Sequence, residues 1–196
     1  MKKLTLICGA LVLGFFLSSC ENKKETAINL FNTFFDEEIA ALNQVEDADA
    51  FLAYFDAADE RFSAFYANLD KQIPINEDDQ IIGLSKEDSD AAMQVYEDRL
   101  AAYTEARDAK SAALYEPFIQ DLEAYWDGPI NDLLDQYDDV ASIPDDVLNP
   151  ILDTFEQKFD AADQYVRLSS EEQYDRYLVF YDLFFTDSEE ETEEAE

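Results

Sequence analysis

SKEDSDAAMQVYEDRLAAYTEARDAKSAALYEPFIQDLEAYWDGP, residues 85–129, carries the reading of the whole chain. No proline occurs in it before Pro117 and no glycine before Gly128. Met93, Tyr96, Leu100, Tyr103 and Leu114 fall on one side of a 3.6-residue period, which predicts a long amphipathic helix. Ser85 starts it, with Asp88 three residues on in a capping-box-like position. Alanines at 101, 102, 106, 109, 112 and 113 predict a middle that a neighbouring helix can approach closely. Pro117 either kinks or restarts the helix, because it lacks the donor that the ladder needs. Phe118, Leu122 and Tyr125 continue the apolar side to a stop at Gly128-Pro129.

A helix of that length needs partners, and the flanking sequence supplies them. Upstream, Ile28, Phe31, Phe35, Ile39 and Leu42 recur at steps of three and four. A second set, Leu52, Phe55, Phe62, Phe65 and Leu69 with Tyr66 at its edge, is out of phase with the first. The candidate caps in Glu46-Asp47-Ala48-Asp49 therefore predict a break and two helices. Around Pro74 and Gly83 the period lapses, which predicts a loop over 70–84.

Downstream, Ile130, Leu133, Leu134 and Tyr137 form a short helical piece, followed by a Ser142-Ile143-Pro144 turn. Asn149-Pro150 reads as an N-cap with proline at the first helical position. The next apolar face is Ile151, Leu152, Phe155, Phe159, Ala162 and Val166. Ser170 with Gln173 forms a capping box that opens a last helix burying Tyr174, Tyr177, Leu178, Tyr181 and Phe185. Phe55-Asp56-Ala57-Ala58-Asp59 recurs as 159–163, either a trace of duplication or a chance match of common residue types. The predicted fold is an all-α, up-and-down bundle of about five to seven helices spanning 25–186, with an acidic, disordered tail over 187–196.

The N-terminus has a different character. Met1-Lys2-Lys3 is followed by LTLICGALVLGFF (4–16), an uncharged run that spans about 20 Å as a helix, against roughly 30 Å of hydrocarbon. A positive start, a short apolar run and small residues describe a secretory signal rather than a membrane span. The run closes in Leu17-Ser18-Ser19-Cys20. That stretch resembles the lipobox of bacterial lipoproteins; the resemblance covers only the first twenty or so residues. It implies removal of residues 1–19 by cleavage between Ser19 and Cys20, with lipidation of Cys20. The sulfur would carry a diacylglycerol and the new amine a palmitate-type acyl chain. Two or more chains make such an anchor stable where one is marginal. Residues 20–24 are then a lipidated tether that keeps Lys23 and Lys24 near the headgroups. Glu21 after the cysteine lacks the aspartate expected of inner-membrane retention, so the outer membrane of a bacterial cell envelope is the expected location.

Composition bounds the chemistry. The mature chain would carry 11 basic and 47 acidic residues once Lys2 and Lys3 are removed, a formal charge of −36. Nucleic acid is excluded as a partner, because its phosphates would meet no basic patch. The chain still has 15 Phe and 11 Tyr, enough for a core despite the charge. Its two cysteines are Cys8, inside the signal, and Cys20, so the mature part has no disulfide. With no histidine, the commonest general base and metal ligand are missing. No phosphate-binding glycine loop or nucleophile elbow occurs.

We therefore expect no catalytic, cofactor or dedicated metal residues and no enzyme activity. The Asn76-Glu77-Asp78-Asp79 cluster and Asp138-Asp139 with Asp145-Asp146 lack EF-hand spacing, and favour weak, diffuse divalent-cation binding over a built site. Tyr174, Tyr177 and Tyr181 share one helix face, either lining a groove or reaching the bundle surface. The expected role is that of a non-catalytic envelope lipoprotein, anchored to the membrane through Cys20 and acting in binding or structure. The alternative is an inhibitor or immunity-type protein that captures a basic partner protein.

Overall fold

A computed structural model of the chain describes residues 20–137 and 139–185, with side chains from Lys23 to Asp182. The expected signal segment 1–19, with Ser19 of the expected cleavage site, and the expected tail 187–196 lie outside the described residues. The fold is an all-α bundle. Its helices are α1 (Cys20–Asn43), α2 (Ala48–Asp56), α3 (Ala58–Gln72), α4 (Lys86–Tyr125), α5 (Asn131–Leu134), α6 (Asp145–Gln164) and α7 (Glu171–Phe185).

Side-chain pairs give the directions. Lys24 meets Asp88, Phe31 meets Tyr96 and Asp36 meets Arg99, so α1 and α4 run parallel. Arg61 returns to Glu38 and Phe65 to Phe31, so α3 runs back against α1. In the other half, Lys158 meets Asp121 and Tyr165 meets Phe118, which sets α6 antiparallel to α4. Gln173 at Glu116 and Phe180 at Trp126 bring α7 up again. Two cores result, strung along α4. One gathers Ala27, Phe31, Phe65, Leu69, Ile73, Ile81 and Ala92. The other gathers Leu42, Phe51, Tyr115, Ile119, Leu122, Phe155, Phe159, Ala162, Leu168, Tyr177 and Phe180, among others.

Several starts and stops match the sequence reading. Asp47 caps α2 by accepting from the Ala50 amide at 2.7 Å, at the predicted break. Ser85 caps α4 by accepting from the Asp88 amide at 3.2 Å. Ser170 and Gln173 form a reciprocal box, the Ser170 amide donating to Gln173 Oε1 at 3.0 Å and the Gln173 amide to Ser170 Oγ at 3.3 Å.

Other expectations fail, most of them at proline. Helix α4 runs unbroken through Pro117, with no restart. Gly128-Pro129 does not stop it: Trp126–Ile130 widens into one π-helical turn that feeds α5, and the Asn131 amide reaches back to the Trp126 carbonyl. A wide turn suits Pro129, which has no N–H to give to an α-helical bond. Asn149 does not cap α6. The helix begins at Asp145 after Pro144, and Pro150 lies inside it.

The predicted single helix over 52–69 is two, parted at Ala57. There the Arg61 guanidinium donates to the Tyr54 carbonyl at 2.9 Å, giving that backbone group a side-chain partner. Burial on α2 is shifted by one residue: Phe51 is core and Phe55 is 43% exposed. Phe159 is buried, so the two copies of Phe-Asp-Ala-Ala-Asp occupy unlike places, one across a helix junction and one inside a helix. On α1 the buried line is Ala27, Phe31, Phe35, Glu38 and Leu42, with Ile28 and Ile39 only half-buried. The loop after α3 contributes core of its own through Ile73 and Ile81, and an isolated antiparallel bridge joins Ile75 to Ile81.

The alanine-rich middle of α4 packs on one side only: Ala106 and Ala112 are half-buried, and Ala106 packs against the far core. Ala101, Ala102, Ala109 and Ala113 are exposed, and no residue of α4 between Tyr103 and Tyr115 is fully buried. Alanine there supplies intrinsic helix propensity where tertiary cover is thin.

Candidate functional site

Three polar constellations stand out, one at the Cys20 end, one between the two cores and one where α7 meets α4. At the Cys20 end, α1 is helical from Cys20 itself, so residues 20–24 form its first turn. Lys23 Nζ donates to the Ile82 carbonyl at 3.3 Å, and Lys24 Nζ bonds Asp88 Oδ1 at 2.8 Å. The Asp88 carboxyl is held below its ordinary range by the bond from Lys24, aided by Ser85. Gly83, at φ +92°, leaves the space that Lys23 uses: a Cβ there would lie 2.9 Å from Nζ. The loop is clamped from inside by Ser89, whose buried Oγ accepts from the Ile81 amide at 2.8 Å.

Between the cores, Glu38 is buried in an otherwise apolar line. Arg61 grips it with two bonds, Nε to Oε1 at 2.8 Å and Nη2 to Oε2 at 3.0 Å. Tyr54 donates to Oε2 at 2.7 Å, and its hydroxyl lies 3.2 Å from that of Tyr103. The guanidinium also sits 4.2 Å from the Tyr54 ring centroid, a cation–π contact. Burial pushes the Tyr54 phenol strongly up, and its bonds to Tyr103 and Glu38 push the same way. Burial disfavours the charged Arg61, but the bonds to Glu38 outweigh it and raise the pKa. Both carboxylate oxygens are committed to partners, so this group is a lock between α1, α2, α3 and α4.

At the α4–α7 contact, Gln173 adds to its capping role. Its Nε2 donates to the Ala112 carbonyl at 2.9 Å and to Glu116 Oε2 at 2.6 Å. Arg176 bridges Glu116 and Glu123, at 3.1 and 2.6 Å. The bond from Gln173 lowers the Glu116 pKa against the effect of burial, with Gln120 and Arg176 adding to it. Glu123 is the main cause of the raised pKa of Arg176.

No family model, no curated protein and no solved structure matches this chain.

The predicted site residues are unevenly placed. Cys20 is the first residue of α1, at the end of the bundle that holds the 73–84 loop and the start of α4. In the first acidic cluster, Asn76 turns its Oδ1 to the amides of Asp78 and Gln80, at 3.0 and 2.9 Å. That oxygen caps the loop's own backbone. Asp138 of the second cluster lies outside the described residues, and Asp139 caps the Ala141 amide at 3.1 Å. Among the described residues, no group of three or more His, Cys, Asp or Glu side chains converges to hold a metal ion.

Among the described side chains of α7, the buried ones are Gln173, Tyr177 and Phe180; Phe185, expected inside, lies outside them. Tyr174 and Tyr181, expected inside, are 45% and 42% exposed. They flank Tyr177, each with its ring centroid 6.2 Å away, while Tyr177 donates to Asp163 at 2.6 Å. Asp163, which accepts that bond, is exposed, as are Asp160, Glu171 and Asp175 in the same two helices. The sequence reading missed Glu38 and Arg61. The signal was present: Glu38 falls at a core interval between Phe35 and Leu42, and Arg61 is one of only five arginines.

Proposed function

We propose that this chain is a non-catalytic lipoprotein of a bacterial cell envelope, lipid-anchored at Cys20 and acting by binding or by occupying the membrane surface. The observation that carries the reading is the Leu-Ser-Ser-Cys sequence closing a short apolar signal. Two features of the bundle agree with it. Its strongest polar groups, Glu38, Arg61, Gln173 and Arg176, are engaged in bonds that join helices. Each of the five arginines is ion-paired, so the excess of carboxylates faces outward. Lipid analysis tests the proposal: the mature protein should begin at Cys20 and carry the mass of its acyl chains. Cys20→Ser should abolish processing and membrane recovery, and a Cys20→Ser protein still processed and membrane-bound would end the reading.

A second reading, capture of a basic partner protein, is favoured by the tyrosine stripe on α7. Exposed tyrosines on an acidic body suit an interface, where Tyr is enriched and acids steer a cationic partner. Affinity capture from envelope extract at low and high salt tests it. A single basic protein that elutes with salt, and is lost with Tyr174→Ser/Tyr181→Ser, supports the reading; equal recovery on that variant removes it. The same acidity binds divalent cations weakly, with no fixed stoichiometry in calorimetry. Salt or magnesium should also raise Tm by screening self-repulsion, and a flat melting response would contradict that.

A further inference from the structure

The end of the bundle that carries Cys20 has three properties that belong together. First, no loose chain separates Cys20 from the folded body, because α1 is helical from that residue. Within its first turn or so, Lys23 and Lys24 are bonded to Ile82 and Asp88. Second, the loop beside it presents Ile82, which is 51% exposed, with the Lys23 ammonium on its carbonyl. An apolar tip beside an ammonium on a flexible stem suits the boundary between acyl chains and headgroups. Lys86 lies at the same end and neutralises Asp90 at 3.0 Å. Third, the flanks are acidic: Asp59, Glu60, Glu97, Asp98, Glu105 and Asp108 are exposed along α3 and α4. Lying broadside would bring that charge against the bilayer surface.

From these we infer that the first turn of α1, the 73–84 loop and the start of α4 form a membrane-docking surface, seated on the lipid interface with α4 standing away from it. The inference rests on acylation of Cys20 and goes beyond it, by specifying which surface meets the lipid and how the body stands. The occupant is a bilayer and not a second copy, because two bodies of formal charge near −36 repel and the acyl chains enter the membrane at this end. Helix α4 then reaches roughly 60 Å from the surface, at 1.5 Å per residue. The opposite end displays Val140, 54% exposed, with Leu134 and Val147 also exposed. The exposed acids Glu77, Asp78 and Asp79 lie in the docking loop, so contact is closest on neutral lipid.

The experiment uses the processed lipoprotein in phosphatidylcholine vesicles. Once Cys8 is removed with the signal and Cys20 is acylated, an introduced cysteine is the only free thiol. Ile82→Cys, Ala101→Cys and Val140→Cys change exposed positions, and each variant takes an environment-sensitive fluorophore. Spin-labelled phosphatidylcholine serves as the quencher, vesicle flotation reports attachment, and mass spectrometry reports the acyl chains. Strong quenching at 82, with little at 101 and 140, is the expected result. Comparable quenching at 101 or 140 means a broadside posture and overturns the inference. Absence of quenching at all three sites, in protein that floats and carries its acyl mass, also overturns it while leaving the anchor intact. Protein that lacks acyl mass and fails to float overturns both.

Discussion

The two halves of the molecule are built on the same long helix and follow different rules. The half nearest Cys20 is a packing of rings: Phe31, Phe34, Phe35, Phe62, Phe65, Tyr96 and Tyr103 touch one another in edge, stacked and tilted pairs. Its single proline, Pro74, sits in a loop. The far half carries Pro117 and Pro150 inside α-helices and Pro129 inside a π turn. An interior proline costs about 3 kcal/mol in an isolated helix. Here the surrounding contacts outweigh that cost. Tyr115 and Ile119 are fully buried on either side of Pro117, Phe155 is fully buried a turn after Pro150, and Trp126 packs on Phe155 and Phe180. The lesson is that proline marks a helix end only where the packing of neighbouring side chains does not outweigh its cost.

The largest effect should come from the lock between the halves. Arg61→Met leaves Glu38 buried without its counter-ion and should cost about 3 kcal/mol. A Glu38→Leu/Arg61→Met double variant should recover most of that, because an apolar pair removes the stranded charge. Urea unfolding followed by Trp126 fluorescence, which reports the far half, and by circular dichroism, which reports both, would separate the effects. A double variant no more stable than Arg61→Met would show that the pair does more than compensate charge.

Ser89→Ala tests the ring-packed half by itself. It strands the buried Ile81 amide and should cost about 2 kcal/mol, and an unchanged melting curve would mean that the loop finds another acceptor. Ala109→Gly probes the thinly covered middle of α4. It removes no buried contact, so the cost should be the propensity difference alone, about 1 kcal/mol. The fluorescence and dichroism transitions should stay superimposed, because the Glu38 group and Leu42 also join the halves; transitions that separate would show that α4 alone couples them.

The smallest effect is a gain. Tyr115 is fully buried, and its hydroxyl has no hydrogen-bond partner among the described residues. Tyr115→Phe should stabilise the far half by about 1 kcal/mol. Burial, assisted by the charge of Asp163 and opposed by Arg176, pushes the phenol up from 10.0 to about 12. A group whose folded pKa is raised contributes stability that is complete below the unfolded pKa. That stability is lost as pH rises through the folded value. The wild type should therefore lose stability between about pH 10 and 12 that the variant keeps, and parallel pH–stability curves would refute the assignment.

Much of the fold was legible in the chain. Asp47, Ser85 and the Ser170–Gln173 box announce their helices because a cap is a bond between residues two or three apart. The placement of Phe31, Phe35, Phe65 and Leu69 follows from period alone. The errors share a cause. Asn149-Pro150 and Gly128-Pro129 look like boundaries locally, and helices packed against them from distant sequence carry the chain through. Tyr174 and Tyr181 read as core for a similar reason: periodicity marks a face of α7, and only its angle on α4 and α6 decides that Tyr177 and Phe180 point inward.

By itself the sequence determined that the described chain is helical, that it is strongly acidic, where three caps lie, and that Cys20 closes an apolar stretch resembling a lipobox. These are properties of composition and of neighbours within a few positions. Tertiary structure alone decided that Glu38 is neutralised by Arg61, that the prolines are carried within helices, and that Lys23 and Lys24 are tied to the body beside Cys20. Each of those depends on groups remote in sequence meeting at bonding distance, and no local pattern encodes that.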